Sequence, residues 1–75
     1  MPKLKIVSAK RLLRFLGKRG FFVTRQTGSH VILRKEGLNA ILSVPLHFGK
    51  DLGRGLISSL LKTAKIDPDD YQQNV

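Results

Sequence analysis

A chain of 75 residues makes one domain at most, and at this size only about 60% of the unfolded chain's surface is buried on folding, so the core must be small. It has no cysteine, which excludes a disulfide framework and a zinc-thiolate site and leaves helix-on-sheet packing to hold the fold. Fourteen Lys and Arg against five Asp and Glu give a formal charge of +9, a field that attracts polyanions, nucleic acid first among them.

The N-terminus, MPKLKIVSAKR, lacks the continuous apolar segment of a signal peptide, and no run approaches the ~20 apolar residues that span a bilayer. A protein of the cytoplasm, with no membrane partner, is the expectation. In chain order, Ser8 reads as a helix N-cap, with Val7 and Leu12 placed to form a hydrophobic staple. Ala9, Leu12, Leu13 and Leu16 then recur at helical spacing, which predicts a helix from about Ala9 to Arg19. Gly20 is its natural C-cap, and Lys18 and Arg19 suit the negative end of the helix dipole. Lys10, Arg11, Arg14 and Lys18 fall off the apolar stripe and form a solvated face with the chemistry to touch phosphate.

FFVTR, Phe21 to Arg25, has the aromatic and β-branched composition of a strand, QTGS turns the chain, and HVILRK supplies a second strand. Glu36 and Gly37 make the next turn. Asn39 to Pro45 gives a third strand ending at proline. Short turns between three strands require an antiparallel meander. After the loop LHFGKDLGRG, Leu56, Ile57, Leu60, Leu61 and Ala64 make one apolar stripe, predicting a second helix over roughly 54–65. The acidic end IDPDDYQQNV, which holds Asp67, Asp69 and Asp70, is expected to add a helical turn after Pro68 and then fray. The whole chain, 1–75 with an acidic tail over 67–75, reads as a single α+β domain. Its architecture is two-layer α-β-β-β-α: a three-stranded antiparallel sheet with two helices on one face, like the double-stranded RNA-binding domain.

Strand alternation places His30 on a face with Ile32 and Arg34, while Val31 and Leu33 share the other, wholly apolar face that must meet the helices. His30 therefore looks outward beside the Gly28-Ser29 turn. Histidine is the side chain suited both to take and to give a proton near neutral pH; the competing reading is a histidine that caps the turn through a backbone hydrogen bond. His47, in VPLHFGK, reads first as a loop residue, with a second proton-transfer group or a substrate contact as alternatives. Phe48 beside it is either core or a surface on which a base stacks.

The five acids offer no convergent carboxylates outside the tail, so metal-dependent hydrolysis is not expected. DPDD lacks the glycine and distant glutamate of a calcium loop. Gly49, Gly53 and Gly55 are too irregular for a nucleotide fingerprint, so no cofactor is expected. RNA cleavage needs no metal, because the substrate's 2′-hydroxyl is the nucleophile: a base removes its proton, cations steady the phosphorane, and an acid protonates the leaving 5′ oxygen. His30 with Arg25, Arg34 and Lys35 is the minimum set for such chemistry. Gly28, Ser29, His47 and Lys50 complete the candidate substrate contacts.

In combination these features resemble the HicA, or YcfA-like, mRNA interferase toxins over nearly the whole chain. The resemblance is carried by the Ser-capped basic helix, KRGF before the first strand, GSHVILRK with its Gly-Ser-His, VPLHFGKDL after the third strand, and a leucine-rich second helix ending in LLKTAKID. It implies a metal-independent endoribonuclease of a type II toxin–antitoxin system, with His30 catalytic, mRNA as substrate and a HicB-like antitoxin as partner. The chain departs from the family before the second helix, where LGRGL replaces the usual lysine, proline, glycine and threonine. The alternative is a non-catalytic RNA-binding module on the same fold.

Overall fold

The computed structural model describes residues 3–46 and 50–75. Its elements are α1 (Ala9–Lys18), β1 (Phe22–Thr27), β2 (His30–Arg34), β3 (Ile41–Pro45), α2 (Arg54–Ala64) and α3 (Pro68–Asn74). The strands form one antiparallel sheet in the order β1-β2-β3. The Cα atoms extend 33 × 31 × 18 Å, the proportions of a two-layer slab. The α+β meander with helices packed on one face is as expected; the helical turn expected after Pro68 is a seven-residue helix that runs to Asn74.

α1 forms as its caps dictate. The Ser8 hydroxyl accepts from the Arg11 N–H at 3.2 Å, and Val7 and Leu12 are both buried. At the other end Arg19 is the C-cap and Gly20, at φ +92°, follows it. The Gly20 N–H bonds Gly17 O and the Phe21 N–H bonds Leu16 O, which is the Schellman pair, closed by the buried Leu16 and Phe21 side chains. That motif turns the chain from helix into β1. Ala9, Leu12, Phe15 and Leu16 are the buried face of α1, and Ile57, Leu60, Leu61 and Ala64 that of α2. They close over Val31 and Leu33 of β2 and Leu42 and Val44 of β3.

Both helices lie across β3, at one edge of the sheet, so the other edge overhangs. Every residue of β1 is exposed. Val23 pairs with the core residue Leu33, yet is 56% exposed.

The expected frayed tail is corrected. Asp67 caps α3 through the Asp69 N–H, and Pro68 occupies its first turn. Tyr71 is fully buried and meets Phe15 edge to face, with centroids 5.5 Å apart. Its hydroxyl donates to Lys5 O at 2.7 Å. The Gln72 amide accepts from the Lys5 N–H and donates to Lys3 O, and Arg11 Nε donates to Val75 O. The single apolar residue of α3 is thus the anchor that fastens the two ends of the chain together. No helix is long and apolar enough to cross a membrane among the described residues.

The segment after β3 is less of a free loop than its composition predicts. Ser8 and Asp51 form an antiparallel bridge, Leu52 N–H bonds Val7 O at 2.8 Å, and the Leu52 side chain is core. Arg54 Nε donates to Leu4 O, which fixes the entry to α2.

Candidate nucleic-acid interface on the open sheet face

The face of the sheet away from the helices has no cover, and the strand register sorts its residues into three ranks. Cross-strand partners share a face. The rank nearest the hairpin turn is Thr27, His30 and Pro45; the next is Arg25, Ile32 and Ser43; the last is Phe22, Arg34 and Ile41. His30 opens β2 and is exposed, as alternation requires. Val31 and Leu33, between the ranks, are 4% and 2% exposed.

The turn that presents His30 has two residues. Gly28 sits at φ +57° and Ser29 is not in the positive-φ region, the pattern of a II′ hairpin turn, whose first position glycine adopts without steric cost. Ser29 O accepts from the Leu46 N–H, which ties this turn to the end of β3. The histidine is therefore carried by a backbone held on both sides.

Arg25 reaches the His30 face through an irregularity that alternation does not foresee. The register shifts between Val23 and Arg25, leaving Thr24 as the extra residue of a β-bulge, its hydroxyl donating to Ile32 O at 3.3 Å. In a regular strand Val23 and Arg25 would share a face; the bulge leaves Val23 on the helix side and turns Arg25 outward. Arg25 lies diagonal to His30, at the roughly 7–8 Å usual between such neighbours.

Arg34 and Lys35 are not brought to the histidine. Arg34 shares its face but lies four residues along β2, about 13 Å away at the rise of a strand. The Lys35 ammonium lies over the Phe21 ring, 5.7 Å from its centroid, at the far end of the sheet. The minimum set of three cations around His30 therefore reduces to Arg25 at close range. Lys50 is exposed and just precedes the Asp51 bridge. His47 and Phe48 lie outside the described residues.

Sequence reasoning missed the last rank. Phe22 and Ile41 are 51% and 57% exposed and flank Arg34, and Ile32 in the middle rank is only half-buried. Exposed large apolar residues grouped on one face mark a surface that meets something. The signal available was the double aromatic Phe21-Phe22, of which only one side chain can face the core. Among the described residues, no three His, Cys, Asp or Glu side chains converge to hold a metal ion.

In comparisons with known proteins, no curated protein and no solved structure matches the chain. The family described as HicA toxin of bacterial toxin-antitoxin matches residues 9–66, from the first residue of α1 to the residue after the Lys65 cap of α2. It covers the whole sheet and stops short of α3. By that match, which includes every rank of the open face, the chain belongs to the HicA toxins of bacterial toxin–antitoxin systems.

Proposed function

We propose that this toxin is a metal-independent endoribonuclease that cleaves mRNA in the cytoplasm and so arrests translation, with His30 as its catalytic residue. The observation that carries the reading is the exposed imidazole at the head of β2, on an uncovered face and next to Arg25. His30 takes the proton of a ribose 2′-hydroxyl, the 2′ oxygen attacks the adjacent phosphorus, and the bond to the 5′ oxygen breaks as that oxygen gains a proton from water, to which His30 returns the one it took. Products are a 2′,3′-cyclic phosphate and a 5′-hydroxyl. Arg25 steadies the charge that builds on the phosphorane, while Gly28 and Ser29 let the RNA backbone approach the turn. Arg34, His47 and Lys50 contact the flanking nucleotides; Lys35 adds only long-range attraction.

The partner of this reading is a HicB-like antitoxin. A face that must admit RNA cannot be closed from within, and it leaves Phe22, Ile32 and Ile41 for a second protein to cover together with His30. Mixing the two proteins should bury these residues and stop cleavage; unchanged cleavage with no association would remove the partner from the account.

The test is incubation of the purified protein with a defined RNA in EDTA, followed by analysis of the fragment ends. Cyclic phosphate termini are expected, and His30→Ala should abolish cleavage while RNA binding persists. Fragments bearing 5′-phosphates, or full activity in His30→Ala, would refute the mechanism.

A further inference from the structure

The solvated face of α1 carries Lys10, Arg14 and Lys18, one above the other at intervals of four residues, about 6 Å of helix rise per step. All three are exposed, and they lie opposite the buried face of Ala9, Leu12, Phe15 and Leu16. α1 contains no acidic residue. The neighbouring cations are otherwise engaged: Arg11 holds Val75 O and Arg19 holds Asp70. Like charges four residues apart repel; Lys10 stands in the first turn, where the helix dipole disfavours a cation, and only Lys18, in the last turn, is favoured by it. A row of self-repelling cations with no acidic neighbour on its helix is a surface suited to an anion from outside.

We propose that Lys10, Arg14 and Lys18 form a second RNA-binding site, a track for the phosphates of a strand whose scissile bond lies elsewhere. The site is on the helical layer, on the opposite side of the slab from the rank that holds His30. An RNA that engages both must pass around an edge of a domain only 18 Å through. Regularly spaced cations match the regular charge of a phosphodiester backbone and carry no base specificity. The inference rests on the RNA substrate of the proposed function, but not on the chemistry at His30.

The test compares a Lys10→Gln/Arg14→Gln/Lys18→Gln variant with a charge-matched Lys5→Gln/Lys62→Gln/Lys65→Gln variant, both in the His30→Ala background so that RNA stays intact. Fluorescence anisotropy with a 20-nucleotide single strand, over a range of salt, gives the slope of log K against log salt. Loss of three phosphate contacts should flatten that slope by about 2, and Arg14→Gln alone by about 0.7. The control triple should change it much less. Equal slopes for the two triples would overturn the proposal, with circular dichroism confirming that each variant is folded. Cleavage by the protein with His30 intact is scored separately: if RNA survives in EDTA, the nuclease reading fails, while the slopes still decide on the stripe.

Discussion

The Asp70 carboxylate of α3 receives two hydrogen bonds from one guanidinium, those of Arg19 Nε and Nη2, each 2.6 Å long. The same guanidinium lies over the Phe15 ring, 4.9 Å from its centroid, so a single arginine at the end of α1 joins an aromatic core residue to the acidic tail. Donation from Arg19 holds the Asp70 carboxyl below the ordinary carboxylate range, and Asn74 adds to the effect. At neutral pH both folded and unfolded chains are ionised there and the full benefit is present. As the pH falls below about 4, the unfolded chain takes up a proton that the folded one refuses, and the benefit disappears once Asp70 itself is protonated. Thermal melts should therefore show a midpoint that drops on acidification through this range, and a shallower drop in Asp70→Asn. A profile unchanged by the substitution would mean that the pair does not contribute.

Tyr71 tests the anchor of α3. Tyr71→Phe keeps the edge-to-face contact with Phe15 but leaves Lys5 O without its donor, at a cost of about 1 kcal/mol. Tyr71→Ala removes the ring from a fully buried site and should cost roughly 3–5 kcal/mol. Urea denaturation of the three proteins measures both steps, and their order is the prediction: a Phe variant as damaged as the Ala variant would contradict the contact geometry.

Lys65 closes α2 in a left-handed conformation, φ +58°, with its N–H bonded to Lys62 O and that of Ile66 to Leu61 O. This is the same closure that Gly20 provides for α1, built here with a residue whose Cβ resists it. Lys65→Gly should stabilise the domain by up to about 1 kcal/mol, raising the melting midpoint by several degrees.

The ranks of the open face separate two arginines that look equivalent in sequence. On the proposed mechanism, Arg25→Gln should lower the rate of RNA cleavage about a hundredfold, in the range of a lost transition-state donor. Arg34→Gln, about 13 Å from His30, should weaken RNA binding with little change in the rate at saturating RNA. Single-turnover cleavage across RNA concentrations distinguishes these effects; the opposite ordering would place the reacting phosphate at the other end of the sheet.

The legible parts of the fold were those written in local signals. Ser8 announces α1, Gly28 the hairpin turn and Pro45 the end of β3, while the apolar stripe of α2 has enough turns to show its period. The outward His30 followed from alternation along five residues of β2. Nothing in FVTRQT marks Thr24 as a bulge, so the face on which Arg25 lies is known only from the pairing with β2. Lys35 was grouped with His30 by proximity in sequence, but on an extended strand five residues are a long distance. Of α3 only the turn after Pro68 was legible, and its docking was not, for a different reason: seven residues with one tyrosine have no periodicity. Its stability comes from Arg19, Phe15 and Lys5, partners 51 to 66 positions away.

The Tyr71 bond to Lys5 closes a loop of nearly the full chain, with 66 positions between donor and acceptor. Loop-closure entropy must be met before such a contact contributes anything, so the hairpin and the helix caps assemble first and this seam forms late. The sequence of events runs in reverse on unfolding. A short helix and an N-terminal segment joined by the Tyr71, Gln72 and Arg11 hydrogen bonds will come apart before the sheet, and in native-state amide exchange the Lys5 and Val75 N–H groups should lose protection well ahead of Val31 and Leu33.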